Sequence, residues 1–333
     1  MKTECLVGII TLACNFQCQS CIREYNWNPH IDTDLFFDIL KQAADFGISK
    51  VSLTGGEPML HPDFEKICER AASLGLQIKV VTNGWLIDRY TFLSDPKFST
   101  PNGSPIIHFS LDGSTAEVHD GNRKPGSFER VINGVKRIKQ LQLSCTLNVC
   151  ITQMNRNQID EIFKLGNELG VELIFTSAIK TSQNLHLVLN DREKREAVYH
   201  LFEASKKYGV KYSTCTALSG SLTNKDIPFN YTLCPKTTGL IEPTVNAYGI
   251  WQFCCDTILD GDNFGGDARK VSLVEAVKKQ ILAGSKISVA RLGFLEKKVP
   301  IPDGWYTCEY CNHYFKPSTH QDTQRKVIKI VNI

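Results

Sequence analysis

The chain has 333 residues, of which 42% are hydrophobic and 22% are charged, and its 38 Lys and Arg residues nearly balance its 35 Asp and Glu residues. This composition excludes disordered, collagen-like and low-complexity chains. The net charge of +3 is too small to suggest a polyanion-binding surface, so we expect no nucleic-acid partner. Because no apolar run reaches the ~18 residues of a membrane span, we also expect no membrane partner.

The first apolar run, Leu6–Cys14, allows two interpretations. Lys2 precedes it, as in a short lipoprotein signal, but Gly8 interrupts it, and a buried β-strand accounts for the pattern as well. The 13 cysteines cannot all be paired, because their number is odd. A large chain with many unpaired cysteines is typical of a cytoplasmic, metal-binding protein.

Short apolar runs alternate with segments of helical spacing through the first two thirds of the chain. Strands are predicted at Leu6–Leu12, Lys50–Leu53, Gln77–Thr82, Ile106–Leu111, Ser144–Ile151 and Val171–Thr176. Helices are predicted at Thr33–Phe46, Pro62–Leu74, Ile87–Leu93, Ser127–Leu141, Arg156–Leu169 and Asp191–Tyr208. Glycines occupy C-cap positions at Gly47, Gly75, Gly170 and Gly209. Six βα units predict a parallel sheet, as a partial barrel or an open α/β sheet, with ligands at the carboxyl ends of the strands.

The pattern changes after about residue 210. Ile241–Val245 and Ile250–Phe253 flank a turn and predict a β-hairpin. An acidic glycine loop at Asp260–Asp267, a helix at Ser272–Ala283 and a strand at Lys326–Ile333 follow. We therefore predict two domains, residues 1–212 and 213–333.

Three cysteines, Cys14, Cys18 and Cys21, lie within eight residues just after the first predicted strand. Thiolates of this kind hold iron–sulfur clusters, and three ligands leave one iron of a four-iron cluster open for chemistry. A zinc site that uses Cys18 and Cys21 with distant partners is the alternative.

The spacing Cys-x3-Cys-x2-Cys after a first strand resembles the signature of the radical S-adenosylmethionine (SAM) enzymes. Further segments resemble that family at the next strand ends, and the resemblance implies that they bind SAM: Gly55, Gly56, Glu57 and Pro58, then Thr82 and Asn83, then Ser110 and Asp112, then Asn148. In the family the first of these segments contacts the SAM amino group, with which Glu57 can pair. One departure is Ser20, where the family usually has an aromatic residue near the adenine; Phe16 or Tyr25 could replace it.

The family resemblance implies a mechanism. SAM binds the open iron of the cluster, the reduced cluster cleaves SAM, and a 5′-deoxyadenosyl radical takes hydrogen from a substrate C–H bond. The resemblance also implies an electron donor such as flavodoxin or ferredoxin.

The later cysteines resemble the twitch form of the SPASM/twitch extension. In that extension four cysteines, here Cys234, Cys254, Cys308 and Cys311, hold an auxiliary [4Fe-4S] cluster. A structural zinc site built from the same thiolates is the alternative, and Cys255 leaves the second ligand uncertain by one residue. The predicted fold is thus α/β: a partial (β/α)6 TIM-like barrel followed by a small twitch domain of β-hairpin and helix.

Other residues could take part in the reaction. Cys150, Cys215 and Cys255 are candidate hydrogen donors, and His61, His108 and His119 are candidate general bases. Arg123 and Lys124 could meet an anionic substrate, although solvated loop charges are the usual case.

The favoured reaction is the two-electron oxidation of a sugar or aminocyclitol alcohol, by resemblance to twitch enzymes such as 2-deoxy-scyllo-inosamine dehydrogenase. The alternatives are a maturase that oxidises, crosslinks or epimerises a ribosomal peptide, a sugar epimerase with a cysteine hydrogen donor, a GTP cyclase of molybdenum-cofactor synthesis, and a non-enzymatic zinc-binding protein. The partner is accordingly a small-molecule substrate or a peptide.

Overall fold

The fold was described from a computed structural model, which covers residues 3–22, 28–214, 241–256 and 264–296. Strands and helices alternate in the first 214 residues. The strands are β1 (Cys5–Thr11), β2 (Lys50–Gly55), β3 (Gln77–Thr82), β4 (Ile106–Ser110), β5 (Ser144–Ile151), β6 (Glu172–Ser177) and β7 (Tyr212–Thr214). The α-helices are α1 (Thr33–Asp45), α2 (Phe64–Ser73), α3 (Ala116–Asn122), α4 (Ser127–Gln140), α5 (Ile159–Leu169) and α6 (Asp191–Tyr208).

Seven parallel strands follow one another in chain order across the sheet, from β1 to β7. This order confirms the predicted α/β sheet and its six βα units. The short β7 and the helix α3 were not predicted, and the segment predicted as a helix at Ile87–Leu93 is a 3₁₀ helix, Ile87–Ser94. Asp95 ends it in an extended conformation, as expected for a residue that precedes a proline.

The two faces of the sheet differ in chemistry. Alternate residues of the strands, for example Val80, Phe109, Leu147 and Phe175, are fully buried in the hydrophobic core. That core also contains residues of α1, α2, α4, α5 and α6. The opposite face carries polar residues, which the pleat alternation places together because side chains of one strand point alternately to the two faces. We call this second face the inner face of the sheet.

The segments after residue 240 extend the same sheet. β8 (Thr244–Val245) pairs with β1 in parallel, and β8 pairs with β9 (Ile250–Gln252) in an antiparallel hairpin, as predicted. β10 (Gly266–Asp267) pairs with β9, and α7 (Leu273–Glu296) follows. The helix is longer than the predicted Ser272–Ala283. The predicted strand at Lys326–Ile333 lies outside the described residues, and the proposed division into two domains stays a prediction.

The described helices include no candidate for a membrane span. None of them combines the length and the apolar character that such a span requires.

Candidate active site

The loop that carries the three early cysteines leaves β1 at the carboxyl edge of the sheet. It lies directly against two glycines: the Gly56 N–H donates to Thr11 O at 2.8 Å, and the Glu57 N–H donates to Ala13 O at 2.8 Å. A Cβ on Gly55 would lie 2.1 Å from Thr11 O, and one on Gly56 would lie 2.1 Å from Ala13 O. A side chain at either position would displace the start of the cysteine loop.

The carboxylate of Glu57 is buried on the helix side of the sheet, away from the inner face. It accepts hydrogen bonds from Thr82 Oγ1 at 3.0 Å, from the Asn83 N–H at 2.9 Å and from Tyr90 Oη at 2.5 Å. Desolvation by burial raises its pKa. Through these hydrogen bonds Glu57 holds the end of β3 in place beneath the cysteine loop. Its contact with the SAM ammonium group stays a prediction.

The helix α3 fixes the second half of the cysteine loop. The Gln19 N–H donates to Asn122 O at 2.9 Å, the Ser20 N–H donates to Asn122 Oδ1 at 3.1 Å, and Asn122 Nδ2 donates to Ser20 Oγ at 2.9 Å. Asn184 Nδ2 also reaches Ser20 O at 3.4 Å. Ser20, where the family usually has an aromatic residue, is thus buried and bonded to an amide.

Asp112 is the centre of a buried polar group above β4. Its carboxylate accepts from Arg123 Nε at 2.6 Å, from Asn122 Nδ2 at 2.7 Å and from the Cys150 N–H at 3.0 Å. Arg123 Nη1 lies 4.0 Å from Cys18 Sγ. Sequence reasoning treated Arg123 as a loop charge, but its side chain is only 12% exposed and that of Asp112 only 1%. The ion pair with Asp112 explains this burial.

The three thiols of the loop are a donor set that fits an iron–sulfur cluster. Burial raises the pKa of Cys18 to about 12 and raises that of Cys14, so metal binding must displace their protons. Thiolates are the ligands that iron–sulfur clusters take, and the residues present therefore fit a cluster.

Asn83 contacts the same loop from the end of β3. Its Nδ2 donates to Asn15 Oδ1 at 2.8 Å and lies 4.0 Å from Cys14 Sγ. Asn83 and Arg123 therefore direct N–H groups toward two of the three sulfurs. Hydrogen bonds to ligand sulfurs stabilise thiolate charge and tune cluster potentials.

The remaining residues predicted to bind SAM lie at the same edge of the sheet. Ser110 and Asn148 are in register on β4 and β5, and both are half-buried on the inner face. Pro58 is buried and begins a short 3₁₀ helix, Pro58–Leu60. The structure thus brings together the four strand ends that the sequence singled out, while the role of each residue in SAM binding stays a prediction.

The three candidate histidines have different surroundings. His61 Nε2 lies 3.0 Å from Ile31 O and its Nδ1 accepts the Asp63 N–H at 3.1 Å, so both ring nitrogens are engaged. His119 Nδ1 accepts the Asp112 N–H at 3.0 Å, and its buried Nε2 has no hydrogen-bond partner among the described residues. Both rings hold backbone in place, and His108 alone of the three lies on the inner face.

The ammonium group of Lys124 lies over two aromatic rings. Its Nζ lies 4.0 Å from the centroid of Trp85 and 5.5 Å from that of Phe16. Phe16 and Trp85 pack edge to face, with centroids 5.6 Å apart. Phe16, a candidate to replace the missing adenine contact, is buried in this packing, and Tyr25 lies outside the described residues.

The later cysteines are only partly described. Cys254, Cys255 and Asp256 bring their ligand atoms within 4.8 Å of one another, and the Asp256 N–H lies 3.5 Å from Cys254 Sγ. The other residues predicted for this region, Cys215, Cys234, Cys308 and Cys311, lie outside the described residues. Cys150, the remaining candidate hydrogen donor, is half-buried on the inner face at the end of β5.

Several residues of the site escaped the sequence reasoning. Asn122, Asn155 and Asn184 are buried amides that bond the backbone of the loops around Asp112 and Ser20; Asn155 Nδ2, for example, donates to Asp112 O at 3.0 Å. Asparagine is common in exposed loops, and only the fold shows that these three are buried. The N-cap Thr115 was the one available signal for α3.

Comparison with known proteins shows which family the strands and helices around the cysteine loop resemble. Residues 9–166 match the family model of the radical SAM superfamily. The chain is 28% identical over 173 residues to an AdoMet-dependent heme synthase of Methanosarcina barkeri, a match that covers 48% of this chain and 46% of the relative. It is 29% identical over 178 residues to the mycofactocin maturase MftC of Mycobacterium tuberculosis (52% and 44%). It is 27% identical over 214 residues to the PqqA peptide cyclase of Gluconobacter oxydans (61% and 58%). The matches span about half the length of these curated relatives.

Two solved structures share the fold. Streptococcus suis SuiB bound to its precursor peptide SuiA superposes with a TM-score of 0.67 at 16% identity, over 85% of this chain and 66% of SuiB. The anSMEcpe structure with bound AdoMet and the Kp18Cys peptide gives 0.68 at 18% identity, over 86% and 84%. The cysteine loop and the strand ends beneath it lie within residues 9–166, the segment that matches the family model of the radical SAM superfamily.

Proposed function

We propose that this chain is a radical SAM maturase that modifies a peptide. The observation that carries the proposal is the recurrence of peptide-modifying enzymes among its relatives: MftC and the PqqA peptide cyclase each match half or more of this chain. The folds of SuiB and anSMEcpe, both solved with peptides bound, agree with it. The comparisons give no support to the oxidation of a sugar or aminocyclitol, so the peptide alternative replaces it.

The residues of the cysteine loop fit the cofactors of the family. Cys14, Cys18 and Cys21 would hold the [4Fe-4S] cluster, and the carboxyl edge formed by Gly55, Gly56, Asn83, Ser110 and Asn148 would hold SAM. When bound, these two cofactors supply the radical that takes hydrogen from a substrate C–H bond. The protein contributes a loop fixed at both ends: the two glycines and Glu57 support its start, and Asn122 and Arg123 support its end.

We further propose a twitch-type auxiliary cluster on Cys234, Cys254, Cys308 and Cys311. Its support is the sequence spacing together with the convergence of Cys254, Cys255 and Asp256 in the described part of the chain. Cys255 lies 3.7 Å from Asp256 Oδ1, and so an adjacent carboxylate is available to take a thiol proton.

The test begins with anaerobic protein reconstituted with iron and sulfide. We expect SAM cleavage to methionine and 5′-deoxyadenosine, with increased turnover in the presence of the peptides encoded next to the gene, and deuterium moving from the modified peptide into 5′-deoxyadenosine. Replacement of Cys18 by Ala should abolish cleavage. Stimulation by GTP or by a tetrapyrrole, and not by any peptide, would contradict the proposal, because the relatives also include the heme synthase and a GTP 3′,8-cyclase of Nautilia profundicola, 28% identical over 174 residues.

A further inference from the structure

The inner face of the sheet carries a cation low in the barrel. Ile78 and Val80 belong to the core on the helix side, so Lys79 between them points to the inner face. The strand register places Lys79 beside Ser52 of β2 and Ile106 of β4. Lys79 is half-buried, and it lies nearer the amino ends of the strands than Ser110 and Asn148 do.

No acidic residue neutralises Lys79 within the described part of the chain, where no Asp or Glu oxygen is found within 4.0 Å of its ammonium group. Three acidic residues in or next to strands of the sheet pair with other cations: Glu4 with Lys50 at 3.5 Å, Asp112 with Arg123 at 2.6 Å, and Glu172 with Lys211 at 4.0 Å. Lys79 thus places a positive charge without a counter-ion among these residues inside the barrel. A half-buried charge of this kind is costly unless a ligand or water compensates it.

His108 lies next to this charge. It is buried on β4, in register with Val81 and Thr146, and its Nδ1 lies 2.7 Å from Thr146 Oγ1. Thr146 Oγ1 also lies 3.3 Å from Asn148 Oδ1, so the Nδ1 side of the ring is occupied by this hydrogen-bonded group and Nε2 is the nitrogen left for a ligand. Burial and the Lys79 charge lower the pKa of His108 to about 4.

We propose that Lys79 and His108 form a subsite that binds a carboxylate group of the substrate inside the barrel. The inference rests on the proposed function in taking that substrate to be a peptide, whose carboxylate is an Asp or Glu side chain or the C-terminus. Lys79 pairs with the carboxylate directly. The arriving negative charge favours protonation of His108, whose Nε2–H then donates a second, charge-assisted hydrogen bond.

The first experiment uses a small probe and does not depend on the peptide. Glutarate and its uncharged diamide, glutaramide, are titrated into the reconstituted, SAM-loaded protein while the Cε1–H resonance of His108 is followed by NMR. We expect glutarate to shift this resonance saturably, at least ~10 times more tightly than glutaramide. K79Q should lose that difference, and K79R, which keeps the charge, should retain most of it.

Lys50 supplies the matched control. It lies one strand away on the same face, but Glu4 already neutralises it, so K50Q should change glutarate binding less than about twofold. Equal binding of glutarate and glutaramide, absence of any shift, or unchanged binding in K79Q would each overturn the subsite.

A second experiment separates this subsite from the proposed function. A random-peptide library is selected on the wild-type protein and on K79E. Enrichment of Asp and Glu on the wild type, and of Lys and Arg on K79E, supports both proposals. Enriched peptides without an acidic bias would overturn the subsite but leave the peptide function standing. Glutarate binding without any enriched peptide would leave the subsite standing and count against the peptide function.

Discussion

Removal of the Arg123 guanidinium should destabilise the protein far more than the removal of an exposed ion pair of similar geometry. In R123L the Asp112 carboxylate, 1% exposed, loses the partner that binds it at 2.6 Å. Loss of one partner of a buried pair typically costs 3–5 kcal/mol. Because Asn122 and the Cys150 N–H still donate to Asp112, we expect a value near the lower end, about 3 kcal/mol.

The matched control is Arg192, whose Nε lies 2.8 Å from Glu196 in a pair that is 83% and 52% exposed. R192L should lower the free energy of unfolding by no more than about 0.5 kcal/mol. The assay is anaerobic urea denaturation followed by circular dichroism. In the double variant R123L/D112N the losses in free energy of unfolding of the two single variants should not add, because the amide that replaces the carboxylate leaves no buried charge. We expect the double variant to differ from their sum by about 2 kcal/mol. A cost below about 1 kcal/mol for R123L would refute the reasoning, since it would mean that water reaches Asp112.

Three further changes test other parts of the site. G56A places a methyl group 2.1 Å from Ala13 O, so we expect a loss of about 1–3 kcal/mol and an iron content well below that of the control G47A. In G47A the methyl group meets nothing within 4 Å, and the cost comes only from the left-handed backbone, φ 89°; equal iron content in the two variants would contradict this. Y90F removes a donor from the buried Glu57 carboxylate and should lower the urea midpoint by the equivalent of about 2 kcal/mol, whereas a change within experimental error would show that the hydroxyl is dispensable. Burial lowers the pKa of His108 and of His119 to about 4, so their contribution to stability is present above the unfolded pKa of about 6.5 and is lost as the pH falls toward 4. Urea titrations of H119Q should show a shallower loss of stability over that range, and an unchanged pH profile would be the contrary result.

Much of the barrel could be predicted because its signals are local. The bounds of β3, β5 and α6 were predicted to the residue, since period-2 apolar alternation and left-handed glycines such as Gly170 and Gly209 mark such elements directly. The sequence did not predict α3 and β7, because these elements are short, with seven and three residues. Contacts with distant neighbours, and not their own periodicity, hold them in place.

The types of residue that would bind the cofactors could be predicted from the sequence, but the residues that hold them in place could not. The spacing of residues indicated the cysteine loop and the strand ends, because the residues of each motif are close together in the chain. The burial of Arg123 could not be read from its loop, because its partners Asp112 and Cys18 are 11 and 105 residues away in the chain. Similarly, Glu57 looks available to a ligand in the sequence, whereas Tyr90 and Thr82 occupy its carboxylate in the fold.

The contacts of Ser20 have a consequence for the order of events during synthesis. Asn122 and Asn184 hold this residue from 102 and 164 residues further along the chain. The cysteine loop is translated before both of them, and it cannot take its final shape until the ribosome has released the segment after β6. Because chains emerge at about 5–20 residues per second, the three thiols wait for roughly 8–30 seconds in a nascent chain. A cluster on these thiols can therefore reach its final surroundings only after β1 to β6 and the segment that carries Asn184 have been translated.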